Sequence, residues 1–417
     1  MSDRTRLAVA GGAPARTQPF PSRRVFGPEE RQAAIALFDA AAEQGDRLLG
    51  YAGAQEEEYC AEFARLLGGG FADGVNSGTS ALFVALRALE LPAFSEVIVP
   101  AVSDPGGVMP VALCNLIPIP ADCAPGSYNV GPEQVTARLS ERTSAILVAH
   151  IAGLPVDMDP ILEIASAAGI PVIEDCAQAH CALYKGRPAG SMGDISSFST
   201  MSGKHHTTGG QGGVVFTRNE DLYWSARRHA DRGKPHGMTS DNQNVVASLN
   251  LNMDELHAAI GRAQLRKLPS VVARRRRVAA AIARGCEALR AVRPHAELPG
   301  CEGAYWFQFV DIDLDALDVD LHAFIAALSA EGLPADQGYR FIPTDMAWSR
   351  KRNVFADSDY PWSSPAYAGD PDKDYPLPNI EATVRRTILL QIHEGWTEGD
   401  AADAVAILAK VERAFLK

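Results

Sequence analysis

No run of this chain is apolar for long enough to span a membrane: the longest, Val97 to Pro120, is interrupted by five prolines and by Asp104. Met1 to Arg6 are polar and charged, without the apolar segment of a secretory leader. Basic charge is in short supply. With 39 Lys+Arg against 51 Asp+Glu and a net charge of -12, the chain is a poor match for nucleic-acid phosphates. Acidity of this size mainly serves solubility. Cysteine is sparse too. The seven (Cys60, Cys114, Cys123, Cys176, Cys181, Cys286, Cys301) are scattered, odd in number and without C-x-x-C spacing. That excludes a disulfide framework and fits reduced thiols in a soluble cytoplasmic enzyme. Internal repeats and low-complexity segments are absent.

What is present is an ordinary globular composition, 47% hydrophobic and 22% charged, over 417 residues, enough for two domains. Residues 1–26 read as an arm, broken by Gly11-Gly12-Ala13-Pro14 and Pro19-Phe20-Pro21. Pro28 then starts a helix to about Gln44, and a second helix from about Glu56 ends at Gly68-Gly69-Gly70. Short apolar runs at Glu96 to Val99, Ala145 to Val148 and Pro171 to Ile173 alternate with helical stretches. This is the pattern of an α/β fold with a mainly parallel sheet. The spacing predicts a large domain over 27–265 and a smaller α/β C-terminal domain over 266–417, joined by a long helix from near Met253 towards Leu289. Its one basic run, Arg274 to Arg277, reads as a solvated helix face.

Three features point to chemistry. Asn76-Ser77-Gly78-Thr79-Ser80 opens a helix, where unpaired amides and the dipole suit a phosphate. Asp175 ends an apolar strand, where ligands collect in open α/β sheets, and a carboxylate there needs a cationic partner. Gln178 follows three residues on. Lys204 lies between a strand and the Gly209-Gly210-Gln211-Gly212-Gly213 loop, where its amine can be desolvated for nucleophilic work. An amine for an aldehyde, a carboxylate for a pyridine nitrogen and amides for a phosphate are what pyridoxal 5'-phosphate (PLP) requires. His205-His206 does not read as a metal site, because neighbours in a strand face opposite ways. No metal is expected.

Across most of its length the chain resembles the DegT family of fold-type-I aminotransferases, which aminate keto-sugars and keto-cyclitols. The resemblance rests on Asn76 to Leu82, Val148 to Gly153, Glu174 to His180, Gly193 to Ser199 and Ala258 to Leu265. It implies that Lys204 carries the cofactor, Asp175 pairs with the pyridine nitrogen and Gln178 meets the ring hydroxyl. It further implies that Gly78, Thr79 and Ser199 hold the phosphate, and that Asn250 reaches the phosphate of a partner subunit in a homodimer. The opening Leu7 to Arg16 is most similar to the aminocyclitol and aminobenzoate branch.

Three positions depart from the family pattern. Asp104 stands where an aromatic usually stacks on the cofactor ring, Gln211 replaces a glutamate and Asn252 an arginine. The expected reaction is ping-pong transfer from glutamate or glutamine to a keto-sugar or keto-cyclitol, with Lys204 as general acid and base. Asp104 keeps decarboxylation, epimerisation or elimination open as alternatives. A PLP-binding regulatory protein is disfavoured by the retained Lys204 and by the lack of a basic helix-turn-helix pattern.

Overall fold

The computed structural model describes residues 6–239 and 243–417; the leader reading on Met1 to Arg6 falls mostly outside them. Seven strands form the sheet that carries the site: β1 (Phe71–Val75), β2 (Glu96–Pro100), β3 (Ile117–Ala121), β4 (Thr143–Ala149), β5 (Val172–Asp175), β6 (Ile195–Ser199) and β7 (Gly213–Thr217). Their order is β1-β7-β6-β5-β4-β2-β3. All neighbours are parallel except β7, which runs antiparallel to β6 and β1. Helices cover both faces, so the inner strands are buried almost end to end and read as continuous apolar runs. Two strands escape such a reading. β1 carries Asp73 and Gly74, and β3 carries Pro118 and Pro120. As the edge strand, β3 loses no ladder bond on its open side to the missing proline amides.

A second, antiparallel sheet joins Val292–Pro294, Gln308–Ile312, Thr387–Leu390 and Ala335–Gln337 in that order. The helix Glu255–Cys286 serves both halves. Leu265, Leu268 and Val272 pack with Phe63 and Phe198, whereas Val278 and Ile282 pack with Phe324, Ile407 and Leu7 of the arm. The arm is therefore docked on the second core. Residues 343–377 fold back onto the edge of the large sheet, where the Tyr367 hydroxyl donates to Glu96 at 3.0 Å.

The arginine run corrects the expectation of one solvated face. At 3.6 residues per turn, four consecutive side chains fan out around the helix. Arg274 and Arg277 are exposed, but Arg275 is 1% exposed and ion-paired with Glu394 at 2.8 Å. Arg276 is half-buried and donates to the carbonyls of Gly303 (2.8 Å) and Cys181 (2.7 Å). No helix among the described residues is long and apolar enough to cross a membrane.

Candidate active site

Helix Gly78–Ala88 begins at the carboxyl end of the sheet, capped by Ser77, whose hydroxyl accepts the Ser80 amide at 3.0 Å. Its first amides, those of Gly78 and Thr79, have no carbonyl within the helix to bond. Ser199, at the end of β6, lies against them: a Cβ on Gly78 would stand 2.5 Å from the Ser199 Cβ and 3.0 Å from its hydroxyl oxygen. Only glycine allows the strand end to approach the helix start this closely. The result is a cup of amides and hydroxyls at a positive helix end, chemistry that suits a phosphate.

Asp175 closes β5 beside this cup. The turn Pro105–Gly107 packs against it, so a Cβ on Gly107 would be 3.0 Å from the Asp175 Oδ2. Its Oδ1 accepts the Ala177 amide at 2.9 Å. Loss of water pushes the Asp175 carboxyl above its usual range; the Ala177 bond and the charge of Lys204 only partly oppose this. A cation at Oδ2 would restore the carboxylate. Gln178 is buried, its Oε1 fixed by the Ala152 amide at 2.7 Å, which leaves its NH2 to donate.

Lys204 sits in the turn after β6, 6% exposed, its amide bonded to the Met201 carbonyl at 2.9 Å. Its Nζ lies 3.6 Å from the centroid of the Trp306 indole. Burial brings the amine down to about 8, against the pull of Asp175 and Asp104. A neutral, nucleophilic fraction is then available near neutral pH. The two following histidines turn inward: His206 Nε2 meets the Tyr59 hydroxyl at 2.7 Å and His205 Nε2 the Ala304 carbonyl at 3.0 Å, while both Nδ1 atoms are buried without a hydrogen-bond partner among the described residues. His150, Glu174 and Cys176 also cluster, but His150 Nε2 bonds Glu174 at 3.0 Å. The Glu174 oxygens further accept the amides of Gly190, Met192 and Gly193. This group is bonded within the fold and does not offer a cation site.

Asp104 is exposed and does not lie as a flat cover over the site. Its Oδ1 accepts the Gly106 amide at 2.9 Å, capping its own turn. Asn250 is exposed and accepts a bond from Asn252 at 2.7 Å, while the carbonyl of the next residue, Leu251, accepts the Asn76 amide at 2.8 Å. Asn252 also donates to Asp231 at 3.1 Å. Gln211 is exposed on the glycine loop. Two residues of the site escaped sequence reasoning. They are Trp306, at the entry to the strand Gln308–Ile312, and Tyr339, next to Arg340. Tyr339 is 7% exposed, and like Trp306 it lines a cavity of about 720 Å³ next to Phe341, whose carbonyl bonds the Ser103 amide. Neither aromatic belongs to a motif; the folded chain brings Trp306 to Lys204 and sets the Tyr339 ring 6.5 Å from that of Trp306.

The donor set fits PLP: amides and hydroxyls for phosphate, Asp175 for a protonated nitrogen, Gln178 for a ring oxygen and Lys204 for an aldehyde. Residues 29–409 match the DegT/DnrJ/EryC1/StrS aminotransferase family. The chain belongs to that family. It is similar to the L-glutamine:2-deoxy-scyllo-inosose aminotransferase of Streptomyces fradiae, 31% identical over 98% of this chain and 97% of the relative. The 3-amino-5-hydroxybenzoate synthase of Amycolatopsis mediterranei is 31% identical over 69% of this chain and 74% of its own length. Among solved structures, an aminotransferase from Psychrobacter cryohalolentis superposes with a TM-score of 0.81 at 27% identity, covering 94% of this chain and 98% of that one. The protein is thus an aminotransferase with the fold-type-I architecture, and membership of the DegT/DnrJ/EryC1/StrS family implies PLP as cofactor.

Proposed function

We propose that this aminotransferase moves the amino group of glutamine or glutamate to a keto-cyclitol or keto-sugar, in secondary-metabolite or amino-sugar biosynthesis. The observation that carries the reading is Lys204: an amine only 6% exposed, its Nζ 3.6 Å from the Trp306 ring centroid, in the turn that follows the strand ending in Ser199. The relatives' names, with glutamine as donor and inososes as acceptors, support the substrate classes.

When bound, PLP supplies an aldehyde that carries the amino group and a ring that withdraws electrons. Gly78, Thr79 and Ser199 would hold its phosphate. Asp175 would keep the ring nitrogen protonated, and Gln178 would donate to the ring hydroxyl. Lys204 would hold the cofactor at rest; its freed Nζ is the base that would take the donor's α-proton and return it to the carbon on the other side of the transferred nitrogen, two bonds away. Trp306 covers the amine and excludes water from it. Asp104, whose charge acts on Lys204, would belong to the cofactor's surroundings.

The protein acts as a cytoplasmic homodimer in which Asn250 reaches the partner's phosphate. An exposed groove of about 660 Å³ supports this, since it runs from Thr79 past Phe83 and Leu113 to Leu249, next to Asn250. Leu113 and Leu249 are 47% and 58% exposed, an apolar surface that association would cover. A monomer in sedimentation that still binds PLP tightly would contradict the shared site.

Mixing the holoenzyme with L-glutamine tests the reaction itself. The visible band of the lysine-bound cofactor should bleach with release of the keto acid, and a keto-cyclitol should restore it. Lys204→Ala should lack both the band and turnover while still folding. A borohydride-reducible adduct on another lysine of that variant would overturn the assignment.

A further inference from the structure

Behind Lys204, four segments distant in sequence are joined by charge. Glu394, in the loop after the last strand, is 7% exposed and accepts from two arginines. Arg275 of the long helix gives its Nε to Oε2 at 2.8 Å, and Arg23 of the arm gives its Nε to Oε1 at 2.9 Å. Nη1 and Nη2 of Arg23 and Nη1 of Arg275 turn to main-chain carbonyls. Arg23 donates to the Lys204 carbonyl at 2.8 Å and to that of Ser202 at 3.3 Å. Arg275 donates to the carbonyls of Tyr305 (2.8 Å), Trp306 (2.9 Å) and Ile392 (3.1 Å). The two ends then meet again on the far side. The Trp306 indole N–H donates to Gly203 at 3.1 Å, and its ring faces the Lys204 Nζ at 3.6 Å.

We propose that Arg23 is a positioning residue for Lys204, acting with Glu394 and Arg275 to hold the lysine turn and Trp306 in register around the reacting amine. The proposal rests on the reading of Lys204 as the cofactor lysine.

A tie that only docks the arm would not need this route. Docking is already provided by Phe20, stacked on Trp396 at 4.3 Å, and by His393, whose Nε2 bonds the Pro21 carbonyl at 2.8 Å. Burying two guanidinium groups on one carboxylate is costly, and apolar residues of similar volume often serve stability as well or better. What apolar residues cannot do is fix two main-chain turns at set distances through forked, directional donors. Arg23 reaches the carbonyl of Lys204 and Arg275 that of Trp306, the two residues that meet at the amine, together with their neighbours Ser202 and Tyr305. The arm thereby becomes part of the active-site support, although Arg23 lies far from Lys204 in sequence and touches neither the cofactor cup nor the mouth of the site.

The test uses the holoenzyme and four variants: Arg23→Ala, Arg23→Lys, Trp306→Phe and the Arg23→Ala/Trp306→Phe double variant. Arg23 keeps 18% of its side chain exposed, against 2% for Arg275, so its removal opens less buried space. Single-turnover reaction with L-glutamine should be slowed about tenfold or more by Arg23→Ala, with the half-saturating glutamine concentration changed less than about threefold. The pH midpoint of the visible band should move in Arg23→Ala and return towards wild type in Arg23→Lys, a shift that loss of arm docking would not produce. The double variant should be about as slow as the slower single one, because both changes release the same support. If Arg23→Ala does not fold, the rate and midpoint of Arg23→Lys against Trp306→Phe decide instead.

The proposal is overturned by an unmoved midpoint with a rate within about twofold of wild type, or by effects that multiply in the double variant as independent sites do. Failure of the wild-type holoenzyme to show the band or to react with glutamine would instead overturn the functional reading.

Discussion

The Nζ of Lys204 lies 3.6 Å from the centroid of the Trp306 indole, so the amine is enclosed by both halves of the molecule. The turn after β6 supplies the lysine, and the entry to the strand Gln308–Ile312 supplies the ring. Two effects compete there. A ring face favours the ammonium by about 1–2 kcal/mol when desolvated, and loss of water disfavours it. Burial wins, since the amine falls from 10.5 to about 8.

That shift makes stability depend on pH. Below pH 8 the folded protein holds a charged Lys204 at a desolvation cost; above 10.5 the lysine is neutral both folded and unfolded. Between these values the unfolded chain binds the extra proton, so stability rises with pH as the cost is relieved. Lys204→Met removes the cost, and the cofactor-free variant should exceed wild type by about 3 kcal/mol at pH 7, a gap closing towards pH 10.5. Urea unfolding at pH 7 and pH 10 measures it. An equal gap at both values would show that burial of charge is not its source.

Asp175→Asn should retain PLP weakly and lose about a hundredfold or more in turnover, because an amide cannot keep the ring nitrogen protonated. The cofactor's dissociation constant and the glutamine half-reaction rate report the two effects separately. Turnover within about threefold of wild type would assign Asp175 another task.

The cup was legible in sequence because each part sits on a local signal: a helix cap at Ser77, an acid ending an apolar strand at Asp175, and a lysine between a strand and glycines. Spacing alone carries that information. The roof and its support carry no such signal. Trp306, Glu394 and Arg23 come from three distant segments, and nothing local distinguishes them from ordinary half-buried residues. Arg275 was misread for a different reason: a charge run suggests solvent, yet helical geometry must turn one of four neighbours towards the packed side. In β3 the prolines hid a strand whose edge position makes them harmless.

Arg275→Ala should destabilise the protein by about 3 kcal/mol, the range for breaking a buried pair. Three carbonyls lose their donor and Glu394 keeps only Arg23. Arg275→Met, which fills the same space, should recover part of the loss. Denaturant midpoints of both variants give the comparison, and a change below about 0.5 kcal/mol for the alanine would place the pair among ties of no consequence for stability.

Asp104 is where this protein differs most from the family pattern, and its carboxylate already has a partner in the Gly106 amide. Exposed and capped, it avoids the several kcal/mol that a bare carboxylate over the ring would cost. Its charge still acts on Lys204, raising the amine against burial. We propose that a residue so placed meets the acceptor at the mouth and leaves the α-proton to Lys204. Asp104→Phe should therefore keep the half-reaction with L-glutamine within about threefold and change which ketones restore the visible band. An acceptor panel against the amino form of the enzyme reads the second effect and stopped-flow absorbance the first. If the substitution instead abolishes reaction with the donor, Asp104 belongs to the proton-transfer machinery, and decarboxylation, epimerisation or elimination regain weight as side activities of this site.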